Sequence, residues 1–241
     1  MKKFAIAITA VAAFTGSAIA ADMPVKARVD APVVRAMSWT GCYVGVGGGY
    51  GMYNQDISND TSFFSGAGTG TVTLGGRGWF GTGQVGCDYQ FAPQWVIGAF
   101  GDYDLSSITG HIFDVEEKLS SSWAVGGRIG YVIIPNLLSY VSGGYTQAHF
   151  DAILACAGCS NNVIDAHTYS GWFLGSGYEY GLTWASPNLF WKTEYRFSSY
   201  NKDTLPVLDF CDRPGGHCTL DSQKWVQTIR SELVWRFNFS H

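Results

Sequence analysis

Residues 189–200 read LFWKTEYRFSSY, and their alternation decides the fold. In an extended chain Phe190, Lys192, Glu194 and Arg196 share one face, while Leu189, Trp191, Thr193, Tyr195 and Phe197 share the other. One face is charged and the opposite face is aromatic. Further along, Thr228, Arg230, Glu232, Val234 and Arg236 alternate in the same way with Ile229, Ser231, Leu233, Trp235 and Phe237. Working back toward the N-terminus, Arg128 stands against Val125, Ile129, Tyr131 and Ile133, and Glu179 stands among glycines against Trp172, Leu174, Tyr178 and Tyr180. Two earlier stretches add Asp88, Asp102 and Asp104.

Period-two stretches lie near 39–51, 76–91, 94–105, 121–134, 137–150, 168–181, 189–200 and 223–239, eight in all. Their connections alternate in length. Those at 52–75, 106–120, 151–167 and 201–222 are long and polar, whereas Ala92-Pro93, Pro135-Asn136 and Leu182 to Asn188 are short. An even number of antiparallel strands with short turns on one side and long loops on the other describes an outer-membrane β-barrel. A tilted crossing needs only about 9–11 residues, and closure leaves no backbone group unpaired in lipid. A soluble eight-stranded barrel of the lipocalin kind would put its greasy face inside and its charges outside. Here the apolar face must meet lipid, because a Lys or Arg on the lipid face costs roughly 2–4 kcal/mol at mid-bilayer. The expected architecture is therefore an all-β, eight-stranded, antiparallel up-and-down transmembrane barrel. Its expected lumenal charge network is Asp88, Asp102, Asp104, Glu179, Glu194 and Glu232 against Arg128, Lys192, Arg196, Arg230 and Arg236.

Composition agrees. Of 241 residues only 14% are charged, against about 25% in an average soluble domain, while 31 are Gly and 15% aromatic. That balance excludes a disordered chain and a nucleic-acid-binding one. A narrow lumen calls for Gly beside inward Arg and Glu, the role read for Gly126, Gly130, Gly175 and Gly177. Trp39, Trp79, Trp95, Trp123, Trp184 and Trp225 fall near strand ends, as interfacial girdles require.

Residues 1–20 have Lys2 and Lys3, an apolar core from Phe4 to Phe14 and a small-residue Ala18-Ile19-Ala20 end, which reads as a cleaved secretory signal. Residues 21–38 read as an extended periplasmic arm, and 39–241 as the barrel domain. After the signal no apolar run approaches the roughly 18 residues of a membrane helix.

The segments WTGCYVGVGGGYG at 39–51, VGCDYQF at 85–91, WVIGAFGDYD at 95–104, GGRIGYV at 126–132, GSGYEYGL at 175–182 and KTEYRF at 192–197 carry a resemblance. In that order they resemble the small outer-membrane barrels of alphaproteobacteria, the outer membrane immunogenic or porin-family, opacity-type proteins. The resemblance covers most of 22–241 and implies a surface antigen in the Gram-negative outer membrane. It departs at Phe100, where such proteins commonly carry an acid, and at the end, where Phe239 is followed by Ser240 and His241.

Six cysteines in an exported chain argue for disulfides. Cys42 and Cys87 share the outward face at ends of adjacent strands that antiparallel pairing brings together, which predicts a cross-strand bond. Cys156 with Cys159 and Cys211 with Cys218 are the expected loop pairs, with exchange between the two loops as the alternative. Redox chemistry at Cys156-Ala157-Gly158-Cys159 would need a helix N-terminus, and zinc at Cys156, Cys159, His217 and Cys218 would need more regular spacing. The stretch 81–86, GTGQVG, matches G-x-G-x-x-G but opens no helix and reads as strand. Among five histidines only His149 is placed as a general base could be, without a Ser and carboxylate assigned beside it. The functional expectation is a non-catalytic barrel, without cofactor or metal, for envelope integrity and surface presentation. A small porin is the alternative, and a lipid-modifying enzyme stands behind it. Expected partners are outer-membrane lipid and lipopolysaccharide, the barrel-assembly machinery, and host or environmental surfaces through the loops, but not nucleic acid. The four long loops read as acidic and solvated, Glu116 and Glu117 among their charges.

Overall fold

The structure is a computed structural model that describes residues 38–59, 70–112, 115–154, 162–207 and 218–238. Residues 1–37, which hold the expected signal and nearly all of the expected arm, lie outside the described residues. Eleven strands are described: β1 (Gly41–Asn59), β2 (Gly70–Ala92), β3 (Trp95–Ile112), β4 (Val115–Ile134), β5 (Leu137–Phe150), β6 (Ile153–Leu154), β7 (Asn162–Ile164), β8 (His167–Gly181), β9 (Leu189–Tyr200), β10 (Asp203–Val207) and β11 (Cys218–Asn238).

Eight of them close a ring of antiparallel neighbours in the order β1-β2-β3-β4-β5-β8-β9-β11, with β11 returning to β1. β10 extends the wall of β9 along the outer part of β11, and β6 and β7 form a separate two-stranded ribbon. Following paired residues once around the ring leads from Gly41 through Asp88, Gly98, Arg128, Ser142, Gly175, Arg196 and Thr228 back to β1 at Gly51. That stagger of ten residues is what tilted strands need in order to close. At a tilt of about 40° the rise is about 2.5 Å per residue, so Tyr89 and Trp79, ten positions apart on β2, mark rings about 25 Å apart. Tyr89, Trp95, Tyr131, Tyr180 and Trp235 form the exposed inner girdle, and Trp79, Trp123, Tyr145 and Trp172 the outer one. Val46, Val85, Ile129, Val141 and Leu233 are exposed between them, an apolar belt of the height a membrane barrel presents.

Three expectations change. The strands run past the belt, so the long connections are shorter than their polar sequence suggests. The one expected at 106–120 reduces to residues 113–114, because polar strands keep pairing once they leave lipid. Trp39 is not in a girdle; it is fully buried in the lumen, 5.1 Å from the Phe190 ring. Gly41, two residues after it, has φ 153°, a value open to glycine that lets the chain step from the lumen into the wall. Gly126, Gly130 and Gly177 have uncharged neighbours: a Cβ there would press on the Gly143 carbonyl and Phe173, on Leu138, and on the Thr193 carbonyl and Tyr140 respectively. Only at Gly175 would it approach Glu194, at 3.2 Å.

Candidate functional site

The inward faces of six ring strands, β2, β3, β4, β8, β9 and β11, place all eleven expected charges inside the barrel, each under a tenth exposed. They fall into two clusters. Near the inner end, Asp88 accepts from both Arg128, Nε at 2.9 Å, and Arg236, Nη2 at 2.8 Å. Glu179 completes the square, 2.6 Å from Arg236 Nε and 3.2 Å from Arg128 Nη1. Tyr43 lies 4.7 Å and 5.0 Å from the two guanidinium centres, and Trp39 lies 4.8 Å from that of Arg236. Ring faces satisfy guanidinium planes where acceptors run out.

In the middle, Arg196 holds Asp102 in a two-pronged pair at 2.9 and 2.7 Å and reaches Glu194 at 2.9 Å. Arg230 bridges Asp104 at 3.0 Å and Asp102 at 3.4 Å. Lys192 donates to Gln84 and lies 3.4 Å from Glu232, while the Tyr140 hydroxyl donates to Glu194 at 2.9 Å. Phe100 contributes to this region as a ring face, 5.7 Å from the Arg196 guanidinium and 5.9 Å from the Lys192 ammonium.

A third cluster, near the outer mouth, corrects the sequence reading. Glu117, expected in a solvated loop, is 4% exposed and paired with Lys224, which also donates to Gln55. The Lys224 ammonium sits 4.0 Å from the Phe150 ring centre and 5.1 Å from that of Tyr169. Tyr53 donates to the Glu117 carbonyl at 3.2 Å, and Gln55 and Tyr169 both reach Ser222. Lys224 was within reach of sequence reasoning, since it continues the even-numbered face of Thr228, Arg230 and Glu232. Glu117 was not. Beside Ser120 the register slips against both neighbours of β4, and the buried residues change from Ala124 and Arg128 to Leu119 and Glu117.

Two clusters of buried apolar side chains pack among these charges. Trp39, Tyr43, Val96, Leu138, Phe190 and Val234 belong to one cluster of buried side chains, and Tyr53, Ile108, Leu119, Phe150, Tyr200 and Val226 to the other.

Cys42 and Cys87 are directly opposed on β1 and β2 and are disulfide-bonded on the outward face. Cys156, Cys159 and Cys211 lie outside the described residues, and nothing is described of the Cys218 side chain. His149 is on the outer wall, its Nδ1 2.9 Å from the Thr168 hydroxyl. Among the described residues no group of His, Cys, Asp and Glu is arranged to hold a metal ion.

A closed ring with an apolar outer belt, two aromatic girdles and charges inside is the construction of a bacterial outer-membrane β-barrel. Residues 6–237 match the family model described as outer membrane protein beta-barrel domain, and the chain belongs to that family. It is 28% identical to the 31 kDa outer-membrane immunogenic protein of Brucella melitensis, over 98% of this chain and all of that one. Among solved structures it is similar to OprG of Pseudomonas aeruginosa, at 13% identity and TM-score 0.45, over 83% of this chain and 97% of that one. It is also similar to the outer membrane protease OmpT of Escherichia coli, at 12% identity and TM-score 0.41, over 82% and 97%.

Proposed function

We propose that this barrel is a closed, non-catalytic element of the outer membrane that supports envelope integrity and presents its loops at the surface. The observation that carries the reading is the filled lumen. Eight strands leave an interior that side chains just fill, and here ion-paired charges are interleaved with two clusters of buried aromatic and branched residues. The immunogenic relatives in Brucella support display at the surface. On this reading the first 20 residues leave as a signal, 21–38 form a periplasmic arm, and the remaining four cysteines brace the loops. Outer-membrane lipid and lipopolysaccharide, the barrel-assembly machinery and surfaces met by the loops are its partners.

A small pore is the second reading, favoured by the polar lining itself, seven buried acids with six buried bases. Purified protein in planar bilayers separates the two. The closed reading expects a silent membrane or rare flickers, and steady conductance of a single size would overturn it. Lipid deacylation abolished by His149→Ala would reverse the non-catalytic part.

A further inference from the structure

Nine Lys and Arg residues lie among the described residues. Six are inside the barrel and ion-paired, and Lys202 pairs with Asp221 at 2.7 Å. The remaining two, Arg77 and Lys118, face outward and have no ion-pair partner among the described residues. They are not scattered. Arg77 on β2 is opposite Thr109 on β3, and Thr109 is opposite Lys118 on β4, so the three stand in one row across adjacent strands. The two Cα atoms are therefore about 10 Å apart, with a hydroxyl between them.

Height fixes what they meet. Arg77 lies two residues beyond Trp79, which is 71% exposed, so it stands about 5 Å above the outer girdle. Lys118 lies five residues beyond Trp123 on β4 in the same direction, about 12 Å above the girdle, so the two cations span the layer above it. This is the level of lipid headgroups, where an outward cation is tolerated at about 0–1 kcal/mol and an anionic headgroup can neutralise it. The charged and titratable neighbours are Glu116, which shares the face of Lys118, His111, which opposes Glu116, and Asp151, whose amide donates to the Lys118 carbonyl. Around Arg77 the outward neighbours are Met52, Tyr50, Asn54 and Thr109, none of them acidic.

We propose that Arg77, Thr109 and Lys118 form a site on the outer wall for the phosphate groups of an outer-leaflet glycolipid, with the exposed Trp79 ring beneath for its apolar part. A guanidinium grips phosphate oxygens in two-pronged fashion, an ammonium adds a point charge, and the threonine hydroxyl can donate between them. Two long cationic side chains rooted about 10 Å apart suit a ligand with more than one phosphate, or one phosphate shared. The site depends on the barrel's position in the membrane and not on whether its lumen conducts, so it stands or falls separately from the closed-barrel reading.

The test uses full-length protein in detergent, with folding verified by heat-modified gel mobility, titrated by native mass spectrometry with diphosphoryl lipid A, dephosphorylated lipid A, or inorganic phosphate. Wild type is expected to prefer the diphosphoryl lipid. Arg77→Gln and Lys118→Gln should each weaken that binding about fivefold, and together about thirtyfold, with the dephosphorylated lipid unaffected. A double variant that keeps the wild-type preference overturns the site. Displacement of the lipid by inorganic phosphate at comparable concentration overturns the assignment to a lipid headgroup.

Discussion

Replacing Lys224 by Met leaves the Glu117 carboxylate buried at the outer mouth without its cation. Breaking a buried pair in this way costs about 3–5 kcal/mol, most of it the desolvation of the charge left behind. The reverse replacement, Glu117→Gln, is gentler. The ammonium keeps its bond to Gln55 and the ring faces of Phe150, Tyr169 and Tyr53, at 4.0, 5.1 and 5.6 Å. Such faces supply about 0.5–2 kcal/mol to a desolvated cation, so the expected loss is about 1–3 kcal/mol. With both changes no buried charge remains, and the double variant should return to within about 2 kcal/mol of wild type. The expected order of stability is wild type, then the double variant, then Glu117→Gln, then Lys224→Met. Urea unfolding in phospholipid vesicles, read by tryptophan emission and by heat-modified gel mobility, gives the midpoints and tests that the slopes agree. Equal losses in the two single variants, or a double variant whose loss is their sum, would refute a mutually compensated pair at this position.

Three further outcomes are expected. Non-reducing peptide mapping should find Cys42 joined to Cys87, and Cys42→Ser with Cys87→Ser should lower stability by up to about 4 kcal/mol, the chain-entropy value for a 45-residue separation. Gly47→Ala should block or greatly slow folding, since the new Cβ would collide with the Ser231 carbonyl across the closing pair of strands. Gly83→Ala, with nothing within 4 Å, should be neutral or gain about 0.4–1 kcal/mol; heat-modified mobility separates the two. Asp88→Asn, which leaves two buried guanidiniums on Glu179 alone, should cost about 3–5 kcal/mol in the same unfolding assay.

The ring was legible because each crossing of lipid imposes the same rule, apolar at every second residue, and residues 189–200 and 228–237 keep to it apart from Thr193, Ser199 and Ser231. The alternation at Arg128, Glu179 and Arg236 likewise assigns those side chains to the lumen by sequence alone. What could not be read follows from where the rule stops. Above the outer girdle both faces of a strand can be polar, so continued pairing over 52–59 and 106–112 resembles loop. At Ser120 the register slips, and counting by twos carries Glu117 to the wrong side of the wall. Trp39 opens the first alternating stretch, and an aromatic ring at a strand end looks the same whether it faces lipid or turns inward.

The stagger of ten residues sets a demand on assembly. Gly41 must find Asn238, so the seam that closes the ring joins residues 197 positions apart in the chain. Strand ladders alone are indifferent to a slip of two, which preserves which side chains face inward. The inner charge square is not indifferent. Arg236 comes from β11, on one side of that seam, and Asp88 from β2, on the other, with the Cys42–Cys87 bond holding β2 to β1. A seam closed two residues out of step would leave Arg236 with Glu179, which lies on its own side, but would carry it away from Asp88 and part Arg230 from Asp104 in a dry interior. The lumen thus acts as a lock whose wards admit a single alignment of the closing strands, and misaligned barrels are penalised at the moment they shut.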